Sequence, residues 1–140
     1  MTVRPRPLSR LRRMSEPVSP VVGLGVLHLF CRIPGSGVDR EAVRTAVEAA
    51  TAAGDQVVSV AILGHKADLA FMGLGDDLWR LRDLQTALVA AGLQVVDSYV
   101  SMTEVSEYAQ GVPDEMKQAR LHPELPPEGK PAWCFYPMSK

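Results

Sequence analysis

Val57-Val58-Ser59-Val60-Ala61-Ile62-Leu63, then Gly64-His65-Lys66, then Ala67-Asp68-Leu69-Ala70-Phe71-Met72-Gly73-Leu74 is the stretch on which the fold turns. Apolar and β-branched residues dominate both runs, and the glycine-led turn between them makes the pair a β-hairpin. A helical period precedes it. Asp39 is a natural N-cap, Val43, Ala46, Val47 and Ala50 recur at helical spacing, and Gly54 stands where a helix C-terminus prefers glycine. A second helical period follows it. Asp76 is the expected cap, Leu78, Leu81, Leu84 and Leu88 form the apolar stripe, and Gly92 closes the helix.

Strands flank this arrangement. Val26-Leu27-His28-Leu29-Phe30-Cys31-Arg32-Ile33 is one, ended by Pro34 and Gly35-Ser36-Gly37. The other runs from about Leu93 to Val105, with Tyr99, Ser101 and Thr103 alternating against Val100 and Met102. Strand, helix, strand, strand, helix, strand is the split βαβ order, so the expected fold is α+β, a ferredoxin-like βαββαβ module. Two helices cover one face of its four-stranded antiparallel sheet. The other face also needs cover, because Val58, Val60 and Ile62 are as apolar as Val57, Ala61 and Leu63 behind them. A second sheet, from another module or subunit, is the expected cover.

The chain has 140 residues, enough for one domain with a real core. Its net charge of −1 gives no general attraction to nucleic acid or membrane, and no apolar run approaches the roughly 18–20 residues that span a bilayer. Cys31 and Cys134 stand alone, without a CxxC or His-Cys cluster, and are expected to be two buried thiols in a reducing cytosol. Arg4, Arg6, Arg10, Arg12 and Arg13 crowd the start, between and after Pro5 and Pro7. The apolar run of a signal peptide does not follow them. Residues 1–20 therefore read as a disordered basic, proline-rich extension, or translation begins at Met14, and a nucleic-acid arm is the lesser alternative.

Residues 21–108 carry the module. Residues 109–131 hold five of the 11 prolines (Pro113, Pro123, Pro126, Pro127 and Pro131) with Gly111 and Gly129, which reads as an extended connector. Residues 132–140, opening Ala132-Trp133-Cys134-Phe135-Tyr136, have the composition of a strand buried on both faces, the first strand of a second module. No histidine (His28, His65 or His122) has a partner at metal-ligand spacing, so no iron or other metal ligand is assigned.

Four blocks together resemble the coproheme decarboxylases of the chlorite dismutase-like superfamily: Gly64 to Met72, Ser98 to Tyr108, Ala119-Arg120-Leu121, and Cys134-Phe135-Tyr136-Pro137-Met138-Ser139-Lys140. They occur in the family's order over about residues 24–140. The resemblance implies a dimeric α+β-barrel subunit of two ferredoxin-like modules, in a homo-oligomer that is usually a pentameric ring. It implies a cytoplasmic enzyme of haem synthesis whose substrate and redox centre is Fe-coproporphyrin III (coproheme), with hydrogen peroxide as oxidant. Tyr136 would lie beside a propionate, become a radical and take hydrogen from it, so that loss of carbon dioxide leaves a vinyl group. A phenol suits this, because its O–H both bonds a carboxylate and releases a proton with an electron.

The same resemblance places Lys140 at the propionate, in binding or proton delivery; in a regular strand it shares a face with Tyr136. Arg120 would anchor a propionate through its guanidinium fork. Met138 would border the pocket and Tyr108 would add a hydroxyl. His122 has two readings, a base that deprotonates peroxide on the distal face or an exposed loop residue. The family's iron ligand is a histidine of the second module, which these 140 residues lack, so the chain is expected to be a fragment or to work with a separate subunit. Two other functions stay open: a non-catalytic module holding a tetrapyrrole or small ligand, and a haem-dependent chlorite-detoxifying or peroxidase-like enzyme. Tyr136 with Lys140 argues against the latter, whose chemistry needs no tyrosine at the propionate.

Overall fold

A computed structural model describes residues 16–64 and 66–138. The elements run β1 (Gly25–Arg32), α1 (Arg40–Ala52), β2 (Gln56–Ala61), β3 (Leu69–Gly75), α2 (Leu78–Ala90), β4 (Gln94–Met102) and α3 (Asp114–Leu121). The sheet order is β2-β3-β1-β4, and every neighbouring pair is antiparallel. This is the ferredoxin-like arrangement expected from the order of hydrophobic periods.

Side-chain alternation divides the sheet into two faces. Leu27, Leu29 and Cys31 of β1 and Phe71 of β3 pack with Ala46 and Ala50 of α1 and Leu81, Leu84 and Leu88 of α2. Leu29, Cys31 and Leu88 have no exposed surface. Burial pushes the Cys31 thiol up to about 11. At the helix ends, Gly54 and Gly92 take φ of +99° and +102°, the left-handed region that closes a helix without a Cβ clash.

Asp39 caps α1, accepting from the Ala42 N–H at 3.0 Å. The expected cap of α2, Asp76, is not its cap. Asp77 fills that position, accepting from the Trp79 N–H at 2.9 Å, while Asp76 pairs with Arg80 one turn inside the helix. Arg80 also forks onto Asp55, whose side chain is fully buried at the start of β2. Hydrogen bonds to Asp55 and then Asp76 raise the Arg80 pKa, so this buried carboxylate has a permanent cation.

Three expectations are corrected beyond β4. Residues 109–131 are not merely extended, because α3 forms inside them. Asp114 and Glu115 lie in its first turn and Arg120 in its last, the charge order that favours the helix dipole, with Pro113 preceding the first helical residue. Residues 132–138 form no strand. Among the described residues of this segment only Phe135 has ring contacts to the sheet, and Cys134 is exposed rather than buried. Residues 1–15, His65, Ser139 and Lys140 lie outside the described residues.

β4 stops at Met102, not at Val105, because Thr103 is used differently. Its hydroxyl accepts from the Leu24 N–H at 2.8 Å and donates to the Leu121 carbonyl at 2.7 Å. That pair of bonds ties the end of α3 to the edge of the sheet.

Candidate functional site

The face of the sheet opposite α1 and α2 carries Val26, His28 and Phe30 of β1, paired in register with Leu74, Met72 and Ala70 of β3. Val58 and Val60 of β2 and Tyr99 of β4 lie in the same registers. The expected cover was a second sheet. Part of it is the chain's own C-terminal third. The Gln56 carboxamide donates to the Pro123 carbonyl at 2.8 Å and accepts from the Leu125 N–H at 2.7 Å. With the Thr103 hydroxyl, it fastens the C-terminal end of α3 at two points, and Leu121 is buried there.

Beyond this clamp the chain reaches the aromatic part of the face. The Phe135 ring lies 4.7 Å from His28, 5.2 Å from Tyr99 and 5.3 Å from Phe30, centroid to centroid, all tilted. Phe30 and Tyr99 meet edge to face at 6.4 Å. These separations fall within the range in which aromatic pairs attract beyond simple area burial. The His28 Nδ1 is buried and makes no hydrogen bond, and desolvation holds its pKa below the ordinary value. A neutral imidazole is therefore the form that fits against Phe135.

Tyr136, next to Phe135, is 69% exposed, and Met138 is exposed beyond it. Arg120 sits in the last turn of α3 and is exposed, with no ion pair among the described residues. His122 is the residue after α3; its N–H donates to the Gln118 carbonyl at 2.8 Å. Its side chain helps line a shallow open hollow of about 530 Å³ with Gln118, Ala119 and Glu124. Tyr108 is exposed in the turn that follows β4, and Lys140 lies outside the described residues.

These residues share the C-terminal third of the chain, but no hydrogen bond or ion pair among the described residues joins any two of them. They present a phenol, a guanidinium and an imidazole to solvent, a donor set suited to an anionic, carboxylate-bearing ligand. Among the described residues, no group of three or more His, Cys, Asp or Glu side chains converges to hold a metal ion. No helix among them is long and apolar enough to cross a membrane. The sequence reading missed Phe135 and its three partners. The available signal was His28 and Phe30 two positions apart on β1, which places two rings on one face.

Residues 39–140 match the family model described as Chlorite dismutase. The chain is 37% identical over 117 residues to a Haloarcula marismortui protein named "Putative heme-binding protein rrnAC3100". That match covers 71% of this chain and 16% of the archaeal protein. A solved structure titled as a novel heme-binding protein from Thermus thermophilus has the same fold, with a TM-score of 0.50 at 21% identity. It covers 81% of this chain, which in turn spans 55% of the Thermus chain.

Proposed function

Since the chain belongs to the chlorite dismutase family, we propose that it is the N-terminal module of a coproheme decarboxylase, acting in cytoplasmic haem synthesis. The reaction is oxidative decarboxylation of coproheme propionates to vinyl groups, with hydrogen peroxide as oxidant and haem b as product. The observation that carries this reading is the exposure of Tyr136. A tyrosine spent on core packing would be buried, whereas this phenol is 69% exposed and makes no hydrogen bond among the described residues.

The residues present fit a carboxylate-rich porphyrin. Among the described residues, the Arg120 guanidinium has no ion pair and the Tyr136 O–H no hydrogen bond, which leaves both for a propionate. Lys140 joins them from the adjoining sequence, Met138 borders the pocket and Tyr108 adds a hydroxyl. When bound, coproheme supplies the iron whose reaction with peroxide provides the oxidising power. Tyr136 first holds the propionate by a hydrogen bond. Having given the hydrogen of its O–H to the peroxide-derived oxidant, it would take one from the propionate carbon next to the ring and be restored. The side chain would pass one further electron to the same oxidant as its bond to the carboxylate breaks, releasing carbon dioxide and leaving a vinyl group, so that each propionate consumes one peroxide. His122, with no side-chain hydrogen bond among the described residues, is free to take the proton of peroxide. The iron ligand and the remaining pocket walls come from a second ferredoxin-like module or subunit, in a homo-oligomer such as a pentamer.

A non-catalytic tetrapyrrole-binding module is the second reading, favoured by the names of both relatives, which mention heme binding alone. One experiment separates the two. Tyr136→Phe in the full-length protein should bind coproheme normally and release carbon dioxide with peroxide at least about 100-fold more slowly. Unchanged turnover removes Tyr136 from the reaction. Wild-type protein that binds coproheme and releases no carbon dioxide establishes the second reading.

A further inference from the structure

We infer that Phe135, set among His28, Phe30 and Tyr99, is the positioning residue for the Tyr136 phenol. The inference rests on the reading of Tyr136 as the reacting residue and extends the site to the sheet beneath it. No hydrogen bond or ion pair among the described residues ties residues 131–138 to the module, and the segment has no regular secondary structure. Packing therefore fixes it, and Phe135 carries its ring contacts, at 4.7, 5.2 and 5.3 Å to three different side chains. Contacts from two strands, β1 and β4, restrain the ring against movement both along and across the sheet.

The consequence for the next residue is geometric. With Phe135 held against His28, Phe30 and Tyr99, the phenol of the residue bonded to it is left 69% exposed. The aromatic contacts therefore select the face and the depth at which the phenol is presented. Hydrogen transfer is sensitive to this, because a misplacement of about 1 Å in a reacting group lowers rates by roughly 100-fold.

The test uses the full-length protein with 3-fluorotyrosine placed at position 136, so that the ring is read with and without substrate. In ligand-free protein, Phe135→Ala should move the fluorine resonance toward its value in unfolded protein, and Phe135→Tyr should restore it. With coproheme and peroxide, unlabelled Phe135→Ala should lower kcat for carbon dioxide release by about 10–100-fold. Coproheme affinity, from absorbance titration, should stay within about threefold of wild type, and Phe135→Tyr should recover kcat to a similar margin. Tyr99→Leu removes one wall of the ring's surroundings from an exposed edge strand and should act in the same direction, so it carries the test should Phe135→Ala fail to fold.

An unmoved fluorine resonance in Phe135→Ala, or in Tyr99→Leu where that variant carries the test, overturns the inference. So does equal loss of affinity and turnover without rescue by Phe135→Tyr, which is the mark of general structural damage. Normal turnover in Tyr136→Phe would instead defeat the decarboxylase assignment, and the fluorine experiment would still decide whether Phe135 positions its neighbour.

Discussion

On one face of the sheet, Leu29, Cys31 and Leu88 lose all contact with solvent; on the other, Phe135 touches three rings and still keeps 43% of its surface exposed. The helix-covered face is dense aliphatic packing, which stabilises in proportion to the area withdrawn from water. The opposite face is held by a few identifiable contacts: a carboxamide with two hydrogen bonds, a threonine hydroxyl with two, and an aromatic cluster. The first arrangement makes the module fold. The second places a short segment without cementing it, the lower local stability expected of elements that meet a ligand.

The largest effect should come from the dense side. Leu88→Ala removes a fully buried side chain between helix and sheet and should cost about 3–5 kcal/mol in denaturant unfolding. A loss below about 1 kcal/mol would mean that the supposedly dense face is loosely packed. Gln56→Ala should cost less, roughly 1–2 kcal/mol for two hydrogen bonds, and its effect should be local. Hydrogen exchange at the His122 N–H should accelerate while exchange in β1 and β3 stays slow. Equal acceleration everywhere would erase the distinction between the faces.

The smallest effect concerns His28. Desolvation holds its folded pKa below the ordinary 6.5, so the unfolded chain binds more protons between those two values. Stability should therefore fall as pH drops from about 6.5 through the depressed pKa, and level off below it. His28→Phe keeps a ring against Phe135 and should flatten that slope. An unchanged slope in the variant would assign the acid sensitivity to another group.

Much of the fold was legible because period-two and helical patterns alternate cleanly, with Asp39, Gly54 and Gly92 marking boundaries where the structure has them. The choice between Asp76 and Asp77 was not legible. Both carboxylates can cap, and the decision came from Arg80 and Asp55, the latter more than twenty residues away. The helix α3 was hidden by the prolines around it, although Asp114, Glu115 and Arg120 carried its charge order. The composition of Trp133 to Tyr136 suggested burial on both faces. Trp133 is half-buried, and what seats Phe135 is a surface built by β1 and β4, a long-range contact that no local pattern contains.

The glycines under α2 have a consequence for how this sequence can change. A Cβ on Gly25 would lie 2.4 Å from a Leu78 methyl, and one on Gly75 would lie 2.2 Å from the Asp55 carboxylate. Helix and sheet meet there over bare backbone, so their spacing has no side chain to trim or enlarge. Alanine at Gly25 requires the Leu78 side chain to move, and alanine at Gly75 displaces the Asp55 carboxylate that Arg80 holds. Compensation would have to come from Leu78 or from the Asp55–Arg80 pair, and loss of Arg80 alone would leave the buried Asp55 carboxylate unmatched.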